Sequence, residues 1–176
     1  MLRLAIMPIS RQYKTVHMFE RPHIKGVIFT DIIEGQYKYL DGNRYEKVFA
    51  NDSLFSAANP MENKSLSGQG MREFITDFGV MDCLVCDGSK EQTSKGTDFI
   101  REVRKYGMGL HVTRPYRHNQ SKVEGVIIEM RKKWFRFMLR KKVPHILWDY
   151  GLKWVAEIMQ RTVGSAGSLH YSTSLE

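Results

Sequence analysis

The chain has only two cysteines in 176 residues, Cys83 and Cys86. Two thiols three positions apart make no disulfide framework, so a reducing compartment is the expected setting. Cys-x-x-Cys is also a zinc and redox spacing. No second cysteine pair exists to complete a tetrahedral site, however, and an offset of three along a strand turns the thiols to opposite faces. Both therefore read as core. No apolar run, the opening Met1–Met7 included, approaches the roughly 18 residues needed to span a bilayer. A soluble protein with no membrane partner is expected. Residues 1–19 contain Arg3, Arg11 and Lys14 but no acid. A transit peptide would share that bias, yet residues 1–20 read more simply as a poorly structured remnant of an upstream segment. There is no internal repeat.

What remains is ordinary globular composition, 42% hydrophobic and 26% charged, enough for one domain with a real core. The net charge of +8 is unevenly placed. Residues 101–143 hold 13 Lys and Arg against Glu102, Glu124 and Glu129, a local net of +10. A phosphate-backbone binder leaves this footprint. A solvated helix face, or a basic amphipathic segment that meets acidic proteins or lipid, leaves the same one.

Gly26–Ile33 is a nearly continuous apolar run with β-branched residues, the pattern of a buried strand. Asp31 interrupts it on the face of Val27, Phe29 and Ile33, where an ionised carboxylate needs a partner or a metal to offset desolvation. An Asp hydrogen-bonded to a loop at a strand end is the plainer reading. Tyr37–Leu40 and Arg44–Ala50 flank Asp41-Gly42-Asn43, predicting a hairpin. A third strand is expected over Leu54–Ala58 and a loop over Pro60–Ser65. Asp41 and Asp52 read as turn residues. Met71, Phe74, Ile75 and Phe78 recur at helical spacing before Gly79, predicting a helix over 67–78.

Cys83–Cys86 reads as the next strand, ended by Asp87-Gly88. Thr97–Tyr106 reads as a helix capped by Thr97. Leu110–Thr113 is a short strand, followed by a polar loop from Arg114 to Gln120. Ser121–Lys142 is the longest helical pattern, with Glu124 in its first turn, where a carboxylate also serves as a plain capping aid. Pro144–Thr162 predicts a closing helix, and residues 164–176 a loose tail. His111 and His118 are assigned to no metal. Two strand carboxylates and one at a helix start, Asp31, Asp87 and Glu124, make a plausible divalent-metal site.

That ordered set resembles the acidic triad of the retroviral-type integrase catalytic core, and 36 residues separate Asp87 from Glu124, close to that family's spacing. Cys86-Asp87-Gly88-Ser89-Lys90-Glu91 is similar to the family's Ser-Asp-Gly-Ala-Lys-Glu. Pro115, Tyr116, Gln120, Ser121, Val123 and Glu124 match its loop. Leu147–Tyr150 and Val155–Ile158 look most like copia-type retrotransposons. The resemblance covers roughly residues 21–163, taken as the catalytic core. It implies an α/β, ribonuclease-H-like fold, a mixed five-stranded sheet with helices on both faces.

The resemblance further implies Asp31, Asp87 and Glu124 as catalytic residues holding two Mg²⁺ or Mn²⁺ ions. DNA is the implied partner, at Lys90, Tyr116, Asn119, Gln120, Lys122, Arg131, Lys132 and Lys133. Where the family often has a basic contact one turn after its Glu, this chain has Ile128. A homo-oligomer when full length and nuclear action are also implied. The His/Cys zinc module and basic domain that normally flank such a core are not legible, which points to a fragment of a polyprotein. A catalytically silent nucleic-acid-binding relic or interaction protein is the rival expectation.

Overall fold

The computed structural model describes residues 22–35, 38, 40–53, 55–113, 122–162 and 170–172. Strand β1 spans His23–Glu34, β2 Tyr45–Ala50, β3 Ser56–Met61, β4 Val80–Cys86, β5 Gly109–Val112 and β6 His170–Ser172. Helix α1 covers Ser67–Phe78, α2 Lys90–Thr93, α3 Asp98–Lys105, α4 Lys122–Lys141 and α5 Trp148–Thr162. The main path of the sheet runs β3-β2-β1-β4-β5. β2 is antiparallel to both β1 and β3, whereas β4 is parallel to β1 and β5 to β4. This is the mixed five-stranded sheet expected from the sequence. The β6 strand adds to it, pairing antiparallel with His23–Lys25.

Helices cover both faces because the strands bury both. On one face Ile24, Ile28, Phe49, Leu84 and Cys86 pack against Met71, Phe74 and Ile75 of α1 and Phe99, Ile100 and Val103 of α3. On the other, Ile33, Val48, Ala50 and Ala58 pack against Val126, Ile127 and Met130 of α4 and Leu152, Val155 and Met159 of α5. Alternation along β1 and β2 therefore decides which helix layer each side chain meets. Phe29 belongs with the α4/α5 layer, so Asp31, two residues on, falls on that face.

Three expectations change. The hairpin's first arm is β1 itself: Glu34 pairs with Tyr45, and Gly35 N–H donates to the Arg44 carbonyl at 2.8 Å. Asp41 does sit in the turn between the arms, but Lys38 and Leu40 are not strand. Next, β3 begins two residues later than predicted and runs through Pro60 to Met61. It is an edge strand, where the missing proline N–H costs no ladder bond. Last, 170–172 form a strand inside the stretch expected to be loose. The start of β1 reaches beyond β2, whose pairing begins only at Phe29, and β6 takes that open edge.

Helix α1 stops where expected. Gly79 has φ +112° and a Cβ there would lie 2.2 Å from the Pro22 carbonyl oxygen, so only glycine fits. Thr97 caps α3, its hydroxyl accepting from Ile100 N–H at 3.4 Å.

Candidate active site at the ends of two parallel strands

The β1/β4 ladder pairs Phe29 with Val85 and Thr30 with Cys86. One step further along that register are Asp31 and Asp87. Neighbouring strands lie about 4.8 Å apart, so the two carboxylates emerge side by side. They do so where the parallel pairing of β1 with β4 stops in mid-sheet, beyond the carboxyl end of β4, a place where open α/β sheets commonly bind ligands. Cys86 is the last residue of β4, and the chain turns through Asp87-Gly88-Ser89 into α2.

Burial raises the pKa of Asp31 above the ordinary carboxylate range, and the charge of Asp87 pushes the same way. Ile32 N–H donates to Asp31 Oδ1 at 2.7 Å and, with the charges of Lys47 and Arg131, offsets part of that cost. Asp87 is exposed. Its Oδ1 accepts from Ser89 N–H at 3.3 Å and from Gln92 Nε2 at 2.8 Å. A half-desolvated carboxylate beside a second one is the arrangement that a cation relieves, and an all-oxygen donor pair suits Mg²⁺ or Mn²⁺. These two residues fit a divalent cation.

Glu124 stands in the first turn of α4 and is exposed. Among the described residues no three or more His, Cys, Asp and Glu side chains stand as a group able to hold a metal. The structure thus brings Asp31 and Asp87 together and leaves Glu124 outside that pair. Helix α4 is seated by Val126, Ile127 and Met130, and it is Arg131, two turns after Glu124, whose charge acts on Asp31.

Two residues that the sequence reading passed over sit beneath this pair. Lys47 is fully buried, its Nζ donating to Gln92 Oε1 at 2.8 Å and lying 4.3 Å from the centre of the Phe99 ring. Burial lowers its pKa to about 7, against the opposing charges of Cys86, Asp31 and Asp87. A signal existed. Alternation places Lys47 on the face of Phe49, a core residue, so a lysine there needed explaining. Gln92 gave no such signal, because α2 is a single turn.

Cys83 and Cys86 are free thiols, and only Cys86 is fully buried. Burial pushes the Cys86 thiol up to about 11, Asp87 adding and Lys47 subtracting, which makes it a poor nucleophile. Cys83 is half-buried rather than core.

Of the expected DNA contacts, Lys90 is exposed at the start of α2, three residues from Asp87. Arg131 and Lys132 are exposed on α4, and Lys133 lies 3.9 Å from Glu129. Lys122 opens α4, but its side chain is outside the described residues. Tyr116, Asn119, Gln120 and His118 lie outside them entirely, and His111 is exposed on β5. No helix among the described residues is long and apolar enough to cross a membrane.

No family profile and no curated protein matches the chain by sequence. Solved structures do match by shape. The catalytic core domain of BIV integrase superposes with TM-score 0.60 at 12% identity, over 77% of this chain and 84% of that one. The HTLV-2 integrase catalytic core domain, solved with magnesium as a dimer, gives 0.58 at 11% identity over 79% and 88%. A chain of the simian T-cell lymphotropic virus intasome, solved with a PP2A regulatory subunit, gives 0.64 at 15% identity over 89% of this chain and 60% of that one. This chain has the ribonuclease-H-like fold seen in retroviral integrase catalytic cores.

Proposed function

We propose that the chain is the catalytic core of a divalent-metal-dependent polynucleotidyl transferase, the integrase of a copia-type retrotransposon. It would process DNA 3′ ends and join them to target DNA. The observation that carries this reading is the register that sets Asp31 beside Asp87 one step past the last β1/β4 pair, Thr30 with Cys86, on a fold shared with integrase cores. Asp31 and Asp87 would hold Mg²⁺ or Mn²⁺, with Glu124 the third carboxylate. Bound there, the ions would supply charge stabilisation for the attacking and leaving oxygens. The HTLV-2 core was solved with magnesium and as a dimer, which supports divalent ions and self-association here.

The protein's own residues do the rest. Lys90, Arg131 and Lys132 present cations to the phosphate backbone around the acidic pair. The nucleophile is not a side chain: water attacks in end processing and a DNA 3′-hydroxyl in joining. Action on chromosomal DNA would place the protein in the nucleus. A silent nucleic-acid-binding relic is the second reading, favoured by the position of Glu124 outside the Asp31–Asp87 pair.

One set of labelled duplex oligonucleotides tests both readings. The parent should nick or join them in Mn²⁺ and stop with chelator. Its binding should weaken with salt by about 0.9 in log K per log salt for each phosphate neutralised. Replacing Arg131, Lys132 and Lys133 by Ala should flatten that slope by two to three phosphates. Salt-dependent binding without nicking, using every metal and DNA end tried, supports the relic; an unchanged slope removes this helix face from the DNA surface.

A further inference from the structure

One chain of buried polar contacts beside the acidic pair is required by neither carboxylate chemistry nor DNA binding. The Lys47 stem runs under α1, where a Cβ on Gly70 would lie 3.1 Å from the lysine Cβ. Its Nζ lies over the Phe99 ring and donates to Gln92 Oε1. Gln92 is 1% exposed, and its Nε2 donates outward to Asp87 Oδ1. A glutamine amide can point either way, and which end faces which neighbour is set by what those neighbours accept or give. The lysine nitrogen donates here, and a carboxylate only takes. Lys47 therefore fixes Gln92 with its oxygen inward and its NH₂ towards Asp87.

We propose that Lys47 and Gln92 are a buried positioning pair that holds Asp87 by Oδ1 and leaves Oδ2 as the oxygen offered to a cation. Resting on the metal-dependent reading above, it adds two residues that touch neither metal nor DNA. Ser89 N–H also donates to Oδ1, so the described hydrogen bonds of Asp87 converge on one oxygen. Without Gln92, the Asp87 carboxylate would keep only the longer 3.3 Å bond from Ser89 N–H among these two. Partners of this kind typically change metal affinity ten- to a hundredfold when removed.

The experiment is Mn²⁺ titration of the full chain by calorimetry, without DNA, for the parent, Gln92→Leu, Lys47→Met and the double variant. Gln92→Leu should weaken Mn²⁺ about tenfold, and Lys47→Met should weaken it several-fold. In the Gln92→Leu background, Lys47→Met should have a much smaller effect than in the parent, since the lysine acts chiefly through the amide it orients. Independent, multiplying effects overturn the proposal, as does Mn²⁺ affinity unaltered in Gln92→Leu. A measurement on the parent stands even if a variant fails to fold. Saturating Mg²⁺ should shift the side-chain amide resonances of Gln92 and leave those of Asn59, bonded to the Gly70 carbonyl, in place. Unmoved Gln92 resonances at saturation contradict it. A parent that takes up no Mn²⁺ defeats the metal-dependent reading itself and the positioning pair with it, whereas a parent that binds while Gln92→Leu binds equally well defeats the pair alone.

Discussion

Asp87→Asn is expected to lower metal-dependent cleavage of duplex DNA by at least about a hundredfold while DNA binding survives. The two oxygens of that side chain have different surroundings. Oδ1 already accepts from Ser89 N–H and Gln92, and an asparagine oxygen would keep those bonds. The asparagine NH₂ would then occupy the Oδ2 position, turning a donor towards the place where a cation is to be held. Asp31→Asn should do the same damage, and it should also stabilise the metal-free protein, because the charge that burial and Asp87 disfavour is gone. Glu124→Gln should abolish turnover if that carboxylate joins the other two. Asp41→Asn and Asp52→Asn are the controls. Both lie in turns, and Asp41 accepts from the Tyr150 hydroxyl, a bond an amide oxygen retains. Nicking and joining of labelled oligonucleotides reads the result, and full activity in the Asp87 and Asp31 variants would sink the assignment.

The second large effect concerns stability and comes from Glu46, next to Lys47 on β2. Glu46 is 0% exposed, and neither carboxylate oxygen has a hydrogen-bond partner among the described residues. Burial, reinforced by Asp149 and only partly opposed by Lys153, raises its pKa well above its ordinary 4.5. For an acid held protonated when folded, the unfolded chain releases its proton first. Stability is then fully present below about pH 4.5 and falls as pH rises towards the folded value, by about 1.4 kcal/mol for each pH unit in that window.

Asp31 and Asp149 are raised as well and add to the slope in the same direction. Lys47 acts oppositely and later, because a lysine lowered from 10.5 to about 7 gains stability as pH climbs between those values. Urea unfolding across pH should therefore show a decline from acid towards neutral and a recovery above it. Glu46→Met should remove most of the decline and raise stability at neutral pH by about 1–3 kcal/mol. A variant with the parent's acid-side slope would show that Glu46 ionises freely in the fold.

The sequence reading was most successful where local chemistry decides structure. Helix α1 was bounded correctly because apolar spacing and the Gly79 stop are local, and the cap at Thr97 is equally self-contained. Asp31 inside a strand and Asp87 just past one are legible from the apolar runs that the first interrupts and the second follows. Register was not. The hairpin arm assigned to Tyr37–Leu40 belongs to β1, since pairing is settled by which faces meet the two helix layers. Pro60 was read as loop because its edge position depends on strand order. The partial burial of Cys83 likewise depends on tertiary packing.

Lys47 is the more instructive miss. Its face is readable, but a lysine is conventionally assigned to solvent, and its burial is explained by tertiary contacts with Gln92 and the Phe99 ring. Glu124 is the converse case. Its place in the first turn of a long helix was read correctly, yet helix phase alone does not bring a carboxylate to two others, and the seat of α4 is set by its apolar side. The expected DNA contacts Tyr116, Asn119 and Gln120 lie outside the described residues.

Paramagnetic broadening by Mn²⁺ tests most directly whether Asp31 and Asp87 hold one metal site. Substoichiometric Mn²⁺ added to isotope-labelled full chain bleaches resonances near the bound ion, while the same titration with Mg²⁺ serves as the diamagnetic reference. Selective loss of signals from Asp31 and Asp87 is expected, extending to Glu124 if its carboxylate joins them, with Asp41 and Asp52 left sharp. Broadening that bypasses Asp31 and Asp87, or spreads evenly over the exposed acids of the chain, would contradict it.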